Sequence, residues 1–169
     1  MDVQEITSSL AAAGIVVINF TWNSSRIPAA AAWMISACSA EDGRLDEVFD
    51  LSDPRLIENA NAAWWRLATE YRLFDERHEF LLSVGPTDGE IPASPHWARV
   101  RLHDDWDILG RGAAKGVLGG PPGHPGFVML SLDGGVAVGG DTWDDSISII
   151  VLPDPFNASA IRRGMGLFD

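Results

Sequence analysis

In Trp97-Ala98-Arg99-Val100-Arg101-Leu102-His103 apolar and polar residues alternate from Ala98 onward, with Ala98, Val100 and Leu102 on one side and Arg99, Arg101 and His103 on the other. Successive side chains of an extended chain point to opposite faces, so this stretch reads as a β-strand with one face in a core. Residues 78–84, 126–132, 135–140 and 146–152 also read as strands, rich in β-branched and apolar residues. Asp133-Gly134, between the third and fourth of the five, is a tight hairpin signal. Glu79 is a natural cross-strand partner for Arg99 and Arg101.

Before residue 75 the pattern is helical. Asp53-Pro54 opens a helix whose apolar stripe is Leu56, Ile57, Ala60, Ala63, Trp64, Leu67, Ala68, Tyr71 and Phe74. Trp65 falls about 100° around the axis from Trp64, at the margin of that stripe. Ile27, Ala30, Ala31, Met34, Ile35 and Cys38 recur at helical spacing, with Asp42-Gly43 as the turn beyond. Residues 15–20 are β-branched and apolar, a buried strand expected to follow a short Ala-rich helix and to join an edge of the sheet. A short last helix is expected over 157–164, with Arg162 and Arg163 in its final turn and Gly164 as its stop.

The expected fold is therefore α+β. A mostly antiparallel sheet of about five strands from the C-terminal half packs its apolar face against helices of the N-terminal half. The 169 residues fit a single domain over 1–169, helix-rich in 1–75 and strand-rich in 76–155.

Twenty-four acidic against twelve basic residues give a net charge of -12. That balance argues against nucleic acid and anionic membranes as partners and favours a basic one. The single cysteine, Cys38, excludes an intrachain disulfide. On a helical stripe it reads as inert core filling. The start, Met1–Glu5, lacks the positive region of a secretory leader, so the cytosol is the expected compartment. The sequons at Asn19, Asn23 and Asn157 are then chance matches.

If the five strands form an up-and-down meander, the connections after His103 and after Gly140 leave the same end of the sheet. The first opens with Asp104, Asp105, Trp106 and Asp107; the second carries Asp141, Trp143, Asp144 and Asp145. Three readings compete for this acidic, tryptophan-bearing rim. The aspartates cap turns while the tryptophans close the core; the rim is a recognition surface with tryptophan anchors and carboxylates for Arg or Lys; or it binds a cation. The calcium-loop pattern of alternating aspartates is missing, which places the cation reading last.

Other chemistry finds little footing. Gly110-Arg111-Gly112-Ala113-Ala114-Lys115-Gly116 has its lysine before the glycine and no Ser or Thr after it, so it is not a P-loop. With the proline- and glycine-rich stretch up to Gly126 it reads as a long surface loop. The four histidines show no zinc-protease spacing. No nucleophile elbow exists. Trp22, Trp33 and Trp65 read as partial core. Neither cofactor nor metal is expected, and catalysis is the minority reading.

The function these features favour is a small acidic cytosolic binding protein that neutralises or regulates a basic protein partner. Its concrete form is an immunity protein or antitoxin, an inhibitor acting by steric and electrostatic masking, with Trp106 and Trp143 as anchors. The alternative is an enzyme or ligand-binding domain with a carboxylate site near the Gly-rich loop, served by a divalent metal. Homodimerisation is left open.

Overall fold

A computed structural model describes residues 1–21, 25–85 and 94–168. Trp22 and the Asn23 sequon lie outside the described residues. The elements in chain order are α1 (Val3–Ala12), β1 (Ile15–Thr21), α2 (Ala29–Ala32), β2 (Leu45–Asp50), α3 (Leu56–Glu70), β3 (Glu79–Val84), β4 (His96–Leu102), β5 (Phe127–Leu130), β6 (Val136–Thr142), β7 (Ser146–Pro153) and α4 (Ser159–Gly164). The seven strands form one antiparallel sheet in the order β1-β4-β3-β5-β6-β7-β2. The fold is α+β. Among the described residues no helix is long and apolar enough to cross a membrane.

The five expected strands are all present, and β1 is a sixth at the sheet's edge. β2 is an addition, at the opposite edge. Its sequence, Leu45-Asp46-Glu47-Val48-Phe49-Asp50, does not announce a strand, because an edge strand needs to bury little and carries charge freely.

The apolar stripe of α3 meets the sheet as its spacing predicts. Leu56, Ala60, Trp64, Leu67 and Ala68 share a core with α1 and with the inward residues Phe80, Leu82, Val100, Phe127, Val138 and Ile149. The helix ends four residues short of Phe74. Arg72 turns the chain at φ 60, and the Leu73 N–H donates to the Ala68 carbonyl, a left-handed cap made without glycine.

The helices cover both faces, not one. α2, the tight turn of residues 33–37 after it, and α4 pack on the second face over Leu81, Trp97, Val128, Leu130 and Ile150. Cys38 is buried there. Burial, then the Asp42 charge, push its thiol pKa above the ordinary value, as expected of core filling.

Beyond the reach of these helices the second face carries Glu79, Arg99 and Arg101. Arg99 donates to Glu79 at 2.8 and 2.5 Å and Arg101 at 2.5 Å. The Glu79 side chain is buried beneath the two guanidiniums. Hydrogen bonds from Arg101, then Arg99, hold its carboxyl below the usual carboxylate range. A depressed folded pKa contributes stability that is complete above the unfolded value of about 4.3 and is lost as pH falls through the folded value. Glu79→Gln is therefore expected to be less stable than the parent at pH 7. The gap should begin to narrow below about pH 4.3 and close only as pH falls through the lower folded value, where the parent's carboxylate is protonated as well. Urea melts of both proteins from pH 7 to pH 3 measure this; a constant gap would assign the loss to packing.

The meander does not form. β5 pairs with β3, not with β4. The reason is β1, which occupies the outer edge of β4 along Ile15↔Leu102 to Thr21↔Trp97. Because β3 is antiparallel to both β4 and β5, those two run in the same direction. The chain between them must therefore cross from one end of the sheet to the other. It does so over the α3 face, burying Ile108, Leu109 and Leu118.

Candidate functional site

This crossover separates the two acidic loops. β4 ends beside the α1–β1 corner: the His103 N–H donates to the Gly14 carbonyl at 2.8 Å, and the Asp107 N–H to the Ala13 carbonyl at 2.9 Å. β6 ends at the other end of the sheet, where the Thr142 hydroxyl donates to the Pro125 carbonyl at 2.8 Å. The expectation of one shared rim holding Asp104, Asp105, Trp106 and Asp107 together with Asp141, Trp143, Asp144 and Asp145 is corrected accordingly.

At the first end the loop is largely structural. The Asp107 carboxylate accepts the N–H groups of Gly110 and Arg111 at 2.8 and 2.9 Å and the Asn61 amide at 2.9 Å. Burial works to raise its pKa, but these donors and the Arg111 charge outweigh burial and leave it below the ordinary value. The side chain thus caps a turn and ties it to α3. Asp107→Ala is expected to lower stability by about 1–2 kcal/mol, as loss of a good cap does. Thermal melting checks this, and the loss should shrink at acid pH, where the parent's carboxylate no longer accepts.

Trp106 is half-buried, its ring stacked on Trp65 (centroids 5.6 Å apart, 17° between planes) and tilted against Trp64 at 5.1 Å. Gly14 makes room for it: with φ at +79, a Cβ there would sit 2.6 Å from the Trp106 Cα. Trp106 is therefore part of an aromatic cap, as Trp65 is, and not a free anchor. Asp104 and Asp105 remain exposed, with Arg111 reaching Asp105.

The Gly-rich segment is likewise no open loop. Ala113 and Leu118 are buried, and at Gly119 a Cβ would come within 2.2 Å of the His124 carbonyl oxygen. Gly110, Gly112 and Gly119 serve close packing, each with a neighbouring atom that a Cβ would clash with. Among the described residues no three His, Cys, Asp or Glu side chains converge as metal ligands would.

The second end is different. The β6–β7 turn closes through the Trp143 N–H to the Ser146 carbonyl at 2.8 Å, and the Leu51 N–H donates to the Asp145 carbonyl at 3.0 Å. That bond brings the end of β2 alongside, so Asp50 joins Asp144 and Asp145. All three carboxylates are exposed, and none forms an ion pair with a described residue. Asp141 lies deeper, accepting the Ser36 hydroxyl at 2.5 Å.

Trp143 is 48% exposed, the other described tryptophans being buried or half-buried. Its indole N–H donates to the Ser148 hydroxyl at 3.1 Å, which lays the ring along the second face. Ser148 is the register partner of Val48, which is 62% exposed. Trp143 and Val48 thus flank one serine and form an apolar pair edged by uncompensated carboxylates. Sequence reading located Trp143, Asp144 and Asp145 but missed Val48 and Asp50, since β2 itself was unread. No family model, curated protein or solved structure matches the chain.

Proposed function

We propose that the chain is a small acidic binding protein that neutralises or regulates a basic protein partner, acting as an immunity protein or antitoxin does, by covering a cationic surface. The observation that carries this reading is the exposed Trp143–Val48 pair beside Asp50, Asp144 and Asp145. An accessible indole supplies anchor area that desolvates on contact. None of these carboxylates has an ion-pair partner among the described residues, Asp50 accepting only from the Ser52 N–H and hydroxyl, so they remain available to Arg or Lys of another protein. The net charge of -12 adds a long-range field that speeds encounter with a cation-rich surface. Asp104 and Asp105 contribute to that field from the far end of the sheet but do not share the contact surface.

The test is capture at low salt on the immobilised protein, followed by elution with rising salt. A strongly basic protein should be retained and then released as screening shortens the Debye length. Changing Asp50, Asp144 and Asp145 together to Asn should slow its association about 10-fold at low salt with little change at high salt. Unchanged kinetics in this variant would reject the site. A loss produced instead by Asp104→Asn and Asp105→Asn would move the contact to the other end.

A further inference from the structure

The sheet has two open edges, β1 and β2, and they are not equivalent. β1 is interrupted by a bulge between Val17 and Asn19, which breaks the rhythm of its backbone groups and twists the edge. β2 runs in unbroken register along β7 from Leu45↔Val151 to Asp50↔Ser146. The Leu51–Asp145 hydrogen bond sets the phase of that ladder. Bonded pairs alternate, so Leu45, Glu47 and Phe49 direct their N–H and C=O groups to β7, while Asp46, Val48 and Asp50 direct theirs outward. Among the described residues the one partner of these outward groups is the Asp53 N–H, which donates to the Asp50 carbonyl at 3.1 Å.

The side chains of Asp46, Val48 and Asp50 lie on the face that carries Trp143, because cross-strand partners share a face and Val48 is opposite Ser148. A strand added here would gain main-chain hydrogen bonds from the edge and side-chain recognition from an acid–apolar–acid row backed by an indole. Asp46 is already ion-paired with Arg44 at 2.7 Å, whereas Asp50 accepts only the Ser52 N–H and hydroxyl, both on one oxygen, at 2.8 and 2.7 Å, so Asp50 keeps its charge for a cation from outside.

We propose that the outer edge of β2 receives an extended segment of a basic protein as an eighth strand, with an apolar residue over Val48 and Trp143 and a cation opposite Asp50. The proposal rests on the basic-partner reading above and specifies how that partner is held. A second copy of this chain is the poorer occupant. Antiparallel self-pairing centred on Val48 sets Asp46 opposite Asp50 twice, and each copy carries a charge of -12.

The experiment uses a capped octapeptide, Arg-Thr-Val-Thr-Arg-Thr-Val-Thr, one face of which carries arginine and valine in turn, and the same peptide with its alternate amides N-methylated along one edge. Amide exchange of the full chain is followed residue by residue. The unmodified peptide should slow exchange at Asp46, Val48 and Asp50 by about tenfold or more, and the methylated one should not. Val48→Pro removes only an outward N–H, which an edge strand tolerates, and should weaken peptide binding about tenfold or more with the melting temperature kept.

Equal binding of both peptides without protection at these amides overturns the edge and leaves the acidic contact surface standing. Binding of neither at low salt also overturns it, while the salt-dependent capture experiment judges the basic-partner reading separately. Protection that grows with protein concentration alone, without peptide, overturns it in favour of a second copy.

Discussion

Trp64→Ala is expected to lower the free energy of unfolding by about 3–5 kcal/mol. For a domain of this length that is roughly a 10 °C fall in melting temperature. Trp64 is fully buried where α3, the aromatic cap and the sheet meet, with Phe74 edge-on at 5.6 Å and Trp106 at 5.1 Å. Its removal opens a cavity that three elements border, and none of them can close it alone. Its indole N–H has no hydrogen-bond partner among the described residues. Trp64→Phe should therefore cost much less, about 1–2 kcal/mol, since it loses some volume but no hydrogen bond. Urea and thermal melts of both variants decide this. Equal losses would mean that the N–H, and not the ring volume, carries the stabilisation.

Trp143→Ala and Trp106→Ala should cross. With Trp143 removed, binding of the captured basic partner should weaken by about 2 kcal/mol, close to 30-fold, as for a central anchor. The melting temperature should stay within about 2 °C, because the ring is half exposed and water can replace its bond to Ser148. Trp106→Ala should leave binding unchanged and cost about 2–3 kcal/mol of stability, since its ring completes the stack with Trp65. Titration calorimetry alongside thermal melting reads both axes. The opposite pattern would transfer the contact to the α1–β1 end.

This division of two tryptophans, one structural and one exposed, was not visible in the chain. Asp104-Asp105-Trp106-Asp107 and Thr142-Trp143-Asp144-Asp145 are alike in composition. They differ in what lies beside them. Asn61 and the N–H groups of Gly110 and Arg111 consume Asp107, and Trp64 and Trp65 claim Trp106. Beside the β6–β7 turn lies the end of β2, and Trp143 stays half exposed with Asp50 as a new neighbour. The ion triad of Glu79, Arg99 and Arg101 was legible, because strand alternation alone places the three on one face.

Local pattern was enough for the α+β class, for β1 and β3–β7, for the stripe of α3 and for the Asp133-Gly134 hairpin. Each follows from a period of 2 or 3.6 or from turn stereochemistry within a few residues. Two facts belong to the tertiary structure alone: β1 takes the edge of β4, and β5 therefore joins β3. Which strand wins an edge is a competition between β1 and β5, segments more than about a hundred residues apart, settled by total burial and not by the pattern of either. That competition sent the chain across the sheet, parted the two acidic loops, and placed Trp143 beside Val48 at an open edge.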